Sequence, residues 1–307
     1  MDPVRVVAVR YLNTVPLIEG LDKTEGLDLS TAVPSKIARM VASGDADIGL
    51  ASTFDAAGVA GGGVGGGMVL LPAGMIGCDG PTLTVRLFSE GPIEHIKTVH
   101  VDTDSHTSVA LCRVLLKRLH GIEPAFIEFD ARERVTAGGA DAQWPPAMLL
   151  IGDKVVSDSP PAVRYPHQLD LGEAWKGLTG LPFVYAVWMC RRDRWESAEH
   201  GPRLRTAAAL LDRQLRHNMT RLDWVISTRA PLHRWPTDLA RRYIGELLRF
   251  QVGAREREAV ARFFAEAAAL GLCPRVEPYW GEFEPADGSE REARQGRRDR
   301  VADPGGV

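Results

Sequence analysis

Apolar and polar residues alternate along this chain in short blocks, and the blocks change period as they go. Val4 to Val9 (VRVVAV) is brief, β-branched and unbroken, as a buried strand is. Asn13 and Thr14 follow, then Pro16 and an apolar stretch to Leu21, which predicts a capped turn and a helix with proline in its first turn. A second strand is expected to end near Val33. Pro34-Ser35 then opens a helix with Ile37, Met40 and Val41 on one face and Gly44 closing it. Ala46 to Ala51 (ADIGLA) and Thr82 to Leu87 read as further strands. Strands alternating with helices predict α/β architecture with largely parallel sheets.

A second unit is predicted after Phe88-Ser89-Glu90-Gly91-Pro92. Strand Ile96 to Val101 leads into a polar run and then a helix whose face carries Val109, Cys112, Leu115, Leu116 and Leu119. Ala125 to Phe129 and Ala147 to Ile151 supply two more strands, and Val184 to Cys190 (VYAVWMC) a long one. From there to about Leu270 the pattern is helical. One unit inserted into another predicts two lobes, 1–88 with 184–282 and 89–183, with a ligand cleft between them. Residues 283–307 have almost nothing to bury and are expected to be a disordered tail. The run Gly58 to Gly67 (GVAGGGVGGG) predicts a flexible loop; no GK[ST] follows it and it does not lead from a strand directly into a helix, which argues against a phosphate cradle.

Composition narrows the function. A chain of 307 residues exceeds the usual single-domain size, which agrees with two lobes. The net charge is only -3 with 25% charged residues, which argues against nucleic acid as a partner. Apolar runs are strand-sized, and the start of the chain carries no signal-length apolar stretch, so neither membrane insertion nor export is expected and the location is expected to be cytoplasmic. Four cysteines (Cys78, Cys112, Cys190, Cys273) form no CxxC pair and are expected to be free thiols. No HExxH, GxSxG or GxGxxG occurs, and no metal or cofactor is expected.

Hydroxyl and amide residues cluster where predicted strands turn into helices: Asn13-Thr14, Ser52-Thr53 and Ser105-Thr107-Ser108, with Thr84 placed inside the Thr82 to Leu87 strand. Each one alone reads first as a plain helix cap. Together they suit a small anion, because helix N-termini favour carboxylate without needing a lysine. Asp153, at the end of the Ala147 to Ile151 strand, is a further candidate, while Asp45 and Asp47 read as turn formers. The histidines form no set; His106, at a helix start, is the best placed of them.

Several of these stretches resemble one family, the chorismate dehydratases of the futalosine route to menaquinone. Arg10 to Leu17 (RYLNTVPL) is similar to that family's YLNTxPL opening, and Pro34 to Ser52 to its P..L...L..G..D.G..S segment. Asp104 to Leu111 (DSHTSVAL), Ile151-Gly152-Asp153 and Leu169 to Trp188 (LDLGEAWKGLTGLPFVYAVW) also match, the last being long and specific. The resemblance implies a two-lobed, type II periplasmic-binding-protein-like fold and a hydro-lyase that takes water from chorismate without a cofactor. It places catalytic roles at Asn13 and Thr84, the latter where the family usually has serine, and substrate contacts at Tyr11, Thr14, Ser52, Ser105, Thr107, Ser108, Gly152 and Asp153. Two other readings stand beside it. One is a non-catalytic small-anion binding protein on the same fold. The other is the sister enzyme that makes dihydroxynaphthoate, whose SPCPNDTF-like opening is replaced here by YLNT.

Overall fold

Two mixed sheets organise the chain. The computed structural model describes residues 2–58, 67–101, 105–129, 144–157 and 159–284. The first sheet contains β1 (Val4–Ala8), β2 (Leu27–Thr31), β3 (Ile48–Ser52), β4 (Met68–Cys78), β10 (Phe183–Arg191) and β11 (Leu248–Arg249), in the order β11-β4-β10-β3-β1-β2. The second contains β5 (Val85–Ser89), β6 (Thr98–Val101), β7 (Ala125–Glu128), β8 (Ala147–Ile151) and β9 (His167–Asp170), in the order β7-β6-β8-β5-β9. In each sheet three neighbouring strands run parallel, β2-β1-β3 and β7-β6-β8. The remaining pairings are antiparallel, so the parallel character is weaker than the alternation of elements predicts.

The parallel strands are joined through helices laid on the sheets, and the sequence shows why. Helix Pro34–Ser43 has Pro at its first position and ends at Gly44 with φ 85°. Its Ile37 and Val41 lie so close to β3 that a Cβ on Gly49 would fall 2.7 Å from Ile37 and 2.8 Å from Val41. Only glycine lets helix and strand approach this closely. Arg5 on β1 clamps the neighbouring turn, its main-chain N–H and guanidinium both donating to Asp47 at 2.9 Å. Asp47 is thus an ion-pair partner as well as a turn residue.

The chain changes sheets twice, after β4 and before β10, and these two strands pair at that point through Cys78 and Phe183. β5 already belongs to the second sheet, so the outward crossing lies between Cys78 and Val85, ahead of the division expected at residue 88. Apolar burial forms one cluster spanning both sheets and including Trp175, Phe183 and Phe263, and another under the helices of the first sheet, including Trp188, Trp235 and Tyr243. Phe283 packs against this second cluster and Gly281 N–H donates to Leu70 at 2.8 Å. The chain is therefore docked beyond the start expected for the tail at 283. Residues 285–307 and the glycine run at 59–66 lie outside the described residues. No helix among the described residues is long and apolar enough to cross a membrane. All four cysteines are free, three of them buried; burial pushes the thiols of Cys78 and Cys112 up to about 12.

Candidate active site

A cavity of about 600 Å³, counted with its mouth, opens where the two sheets meet. Its apolar floor comes from Val9, Leu50 and Ile76 on the first sheet side and Val85 and Ile151 on the second. Tyr11, Asn13, Ser52, Thr82, Thr84, Ser105, Ser108, Tyr185 and Tyr243 supply polar atoms, and Gly152 and Pro34 complete the wall.

Thr84 lies just before β5, in the crossing, instead of within a strand. The crossing is strained: Leu83 adopts φ 66°, which a leucine side chain disfavours. Asp170 holds it there. This carboxylate, 6% exposed, accepts the main-chain N–H groups of Thr82 at 3.0 Å and Leu83 at 2.8 Å, and caps helix Leu171–Thr179 through Gly172 and Glu173. The kink turns Thr84 into the cavity. There its Oγ1 stands 2.6 Å from Tyr243 Oη, which also accepts a hydrogen bond from Asn13 Nδ2 at 3.3 Å. Asn13 is oriented in turn by Thr14, whose hydroxyl donates to Asn13 Oδ1 at 3.3 Å. If Tyr243 donates to Thr84, the hydroxyl hydrogen of Thr84 is left for a ligand. Burial raises the pKa of Tyr243, so it remains a neutral phenol.

The opposite wall is the N-terminus of helix His106–His120. Ser105 caps it, accepting the N–H of Ser108 at 3.3 Å, and the two hydroxyls are 3.1 Å apart. The positive end of a helix dipole faces the cavity at this wall. Gly152 lies beside Tyr11 with φ +65° and donates its N–H to the Thr84 carbonyl at 2.8 Å.

Seven of the ten residues singled out from the sequence thus share one cavity: Tyr11, Asn13, Ser52, Thr84, Ser105, Ser108 and Gly152. Three do not line it. Thr14 is fully buried behind Asn13. Thr107, also fully buried, uses Oγ1 to accept the N–H of Phe54 at 3.0 Å, because its helix position faces the core and not the cleft. Asp153 is turned away to accept from Trp235 Nε1 at 3.0 Å, with His233 Nδ1 3.5 Å from its other oxygen. His106 also points elsewhere. Its Nδ1 is 2.6 Å from the fully buried Asp55 side chain, and that hydrogen bond raises the histidine's pKa against the opposing effect of burial.

Tyr185, Tyr243 and Thr82 were missed from sequence. Tyr185 sits in an apolar strand pattern that marks it as core, and Tyr243 in a helical stretch 159 residues from its partner Thr84. Neither has a local signal. Among the described residues, no three His, Cys, Asp or Glu side chains come together as a metal site.

Residues 4–269 match the profile of a protein family described as menaquinone biosynthesis. A protein named chorismate dehydratase from Thermus thermophilus is 32% identical over 204 residues, which cover 60% of this chain and 68% of that one. Among solved structures, a protein of Archaeoglobus fulgidus superposes with a TM-score of 0.65 at 15% identity, over 88% of this chain and 98% of the other. The alkanesulfonate-binding protein of Xanthomonas axonopodis gives 0.60 at 15%, over 90% and 97%. A Candida albicans protein with the generic periplasmic binding protein fold gives 0.64 at 8%, over 94% and 100%. The fold is therefore the periplasmic-binding-protein one that the sequence resemblance implies.

Proposed function

This chain belongs to the menaquinone biosynthesis family, and on that premise we propose that it is a chorismate dehydratase, a hydro-lyase converting chorismate to 3-[(1-carboxyvinyl)oxy]benzoate. The observation that carries the reading is the make-up of the cavity wall. Among the described residues lining it there is no Asp, Glu, His, Lys or Arg, only hydroxyls, one amide and apolar groups. Both buried tyrosines have raised pKa values, chiefly through burial, and neither can act as a base near neutral pH.

Such a wall suits a reaction driven by the substrate. In chorismate the ring C–H beside the enolpyruvyl ether loses its proton, and that electron pair forms the new ring double bond as the neighbouring C–O bond breaks. Hydroxide leaves with the C–O pair and combines with the released proton as water. Aromaticity makes the step downhill. A carboxylate of the substrate takes the proton first, and the protein holds the reacting groups in place and keeps bulk water out.

In this reading Asn13 and Thr84, joined through Tyr243, contact the reacting ring. Ser105 and Ser108 present the helix N-terminus to a carboxylate, with Ser52, Tyr11 and Gly152 closing around the ligand. Thr14, Thr107 and Asp153 act as positioning residues behind the wall. The two sheets form two lobes that meet over the substrate, and the setting is cytoplasmic.

Purified protein mixed with chorismate should produce the ultraviolet absorbance of the aromatic product. Asn13→Ala should fold normally and lose about tenfold or more in kcat, roughly 1.4 kcal/mol of transition-state stabilisation. Chorismate that binds but stays unchanged would replace this reading with that of a binding protein. Wild-type kinetics in a folded Asn13→Ala protein would remove Asn13 from the reaction.

A further inference from the structure

Tyr185 occupies an unusual place in β10. In the antiparallel pairing with β4, Val184 faces Gly77 and Ala186 faces Ile76, so Tyr185 between them is an extra residue opposed by none. This is a β-bulge, and bulges occur beside active sites because they re-aim a side chain that a regular strand would point elsewhere. Here the ring is held edge-on to Phe183, centroids 4.7 Å apart, and lines the cavity.

The phenol is 7% exposed, and its Oη makes no hydrogen bond of normal geometry, although Thr82 and Cys78 lie beside it. Among the described cavity-lining residues it is the only enclosed side-chain oxygen or nitrogen without a partner. A buried hydroxyl left unpaired is costly, and a core position could use phenylalanine instead. An orphaned donor on a side chain that lines a substrate cavity is accounted for when the substrate supplies the acceptor.

The surroundings select the kind of acceptor. The buried Asp170 carboxylate accepts the N–H of Thr82, the neighbour of Tyr185, at 3.0 Å and already engages Arg86 at 3.4 Å, so this end of the cavity holds a negative charge and offers no spare cation to a second anion. The helix N-terminus at Ser105 and Ser108, which favours carboxylate, is a separate part of the wall. A neutral oxygen on the ligand therefore fits beside Tyr185.

Building on the dehydratase reading, we propose that Tyr185 donates a hydrogen bond to the ring hydroxyl of chorismate, the group that leaves. The hydrogen bond strengthens as negative charge builds on that oxygen while the C–O bond breaks. Tyr185 keeps its own proton; the departing hydroxide becomes water with the proton released from the ring carbon. Its contribution falls mainly on kcat, because the charge it meets exists only in the transition state.

Tyr185→Phe keeps the ring and the Phe183 contact and removes only the oxygen. The melting temperature should be unchanged or higher, since an unpaired buried hydroxyl is lost. The kcat on chorismate should fall about 10- to 100-fold, with a smaller change in KM. Affinity for an unreactive chorismate analogue lacking the ring hydroxyl should be the same in wild type and variant, within about twofold.

An active wild type and an equally active Tyr185→Phe protein overturn the inference alone. So does a variant that loses affinity for the deoxy analogue, because Tyr185 then contacts another part of the ligand. A wild type that leaves chorismate unchanged overturns the dehydratase reading and takes this inference with it.

Discussion

The Thr84 hydroxyl lies 2.6 Å from that of Tyr243, so changing it disturbs two groups at once. Thr84→Ser keeps donor and acceptor and should retain most activity. Thr84→Val preserves the shape, removes the oxygen, and leaves the fully buried Tyr243 hydroxyl with only its Asn13 bond. That variant should lose about 1–3 kcal/mol of folding stability, with a comparable loss of kcat/KM. Melting curves and kinetics on both variants check this. If valine matches wild type in both respects and serine is worse, Thr84 matters for its methyl group and the hydroxyl chain plays no part. The place of Thr84 in the cavity wall was legible in its resemblance to a family motif. Its kinked backbone and its partner were not, because Leu83's left-handed φ is imposed by Asp170, a residue 87 positions away.

Contacts between elements hold the cavity walls in register. The short helical turn Thr53–Ala57 that follows β3 docks on the start of helix His106–His120 through the Phe54–Thr107 hydrogen bond and the Asp55–His106 pair. Both sides lead directly to cavity residues, Ser52 on one and Ser105 and Ser108 on the other. The pair carries a pH dependence. The hydrogen bond to Asp55 raises His106's folded-state pKa, opposed by burial and by Arg39. A group raised on folding contributes its full stability below its unfolded pKa and loses it as pH climbs through the folded one. His106→Gln should therefore lower the melting temperature most below about pH 6.5, the ordinary histidine value, with the deficit narrowing at higher pH. A deficit that stays constant or widens as pH rises would show that the protonated pair is not what joins these elements.

Over the whole molecule, the end of the described chain is part of the fold. Gly281 hydrogen-bonds to Leu70 in β4, Trp280 bridges the same residue, and Phe283 lies on the apolar cluster under the first sheet. Cutting after Glu284 should leave the melting temperature and activity unchanged. Cutting after Gly281 also removes the partly buried Phe283 and should cost about 1–2 kcal/mol, near the lower end for an aromatic side chain. Equal melting temperatures for the two truncations would mean that Phe283 contributes nothing in solution.

Local features were determined by the sequence because their causes are local. Pro34 and Gly44 bound a helix, Ser105 caps another, and the apolar run Ala147 to Ile151 is the strand its pattern predicts, since backbone preference and cap chemistry act over a few residues. The motif resemblance also led to most of the cavity. What only the tertiary structure decided was direction. Thr107 and Ser108 are neighbours in one hydroxyl cluster, yet the helical turn sends the first to the core and the second to the cleft. Asp153 sits beside Gly152 and leaves the wall because Trp235 and His233, distant in the chain, supply its partners. Tyr185 reaches the cavity through a bulge in the pairing of two strands more than a hundred residues apart. Periodicity assigns a residue to a face of its element. Strand register and the crossing between sheets decide what that face meets, and both are set by contacts no short stretch of sequence contains.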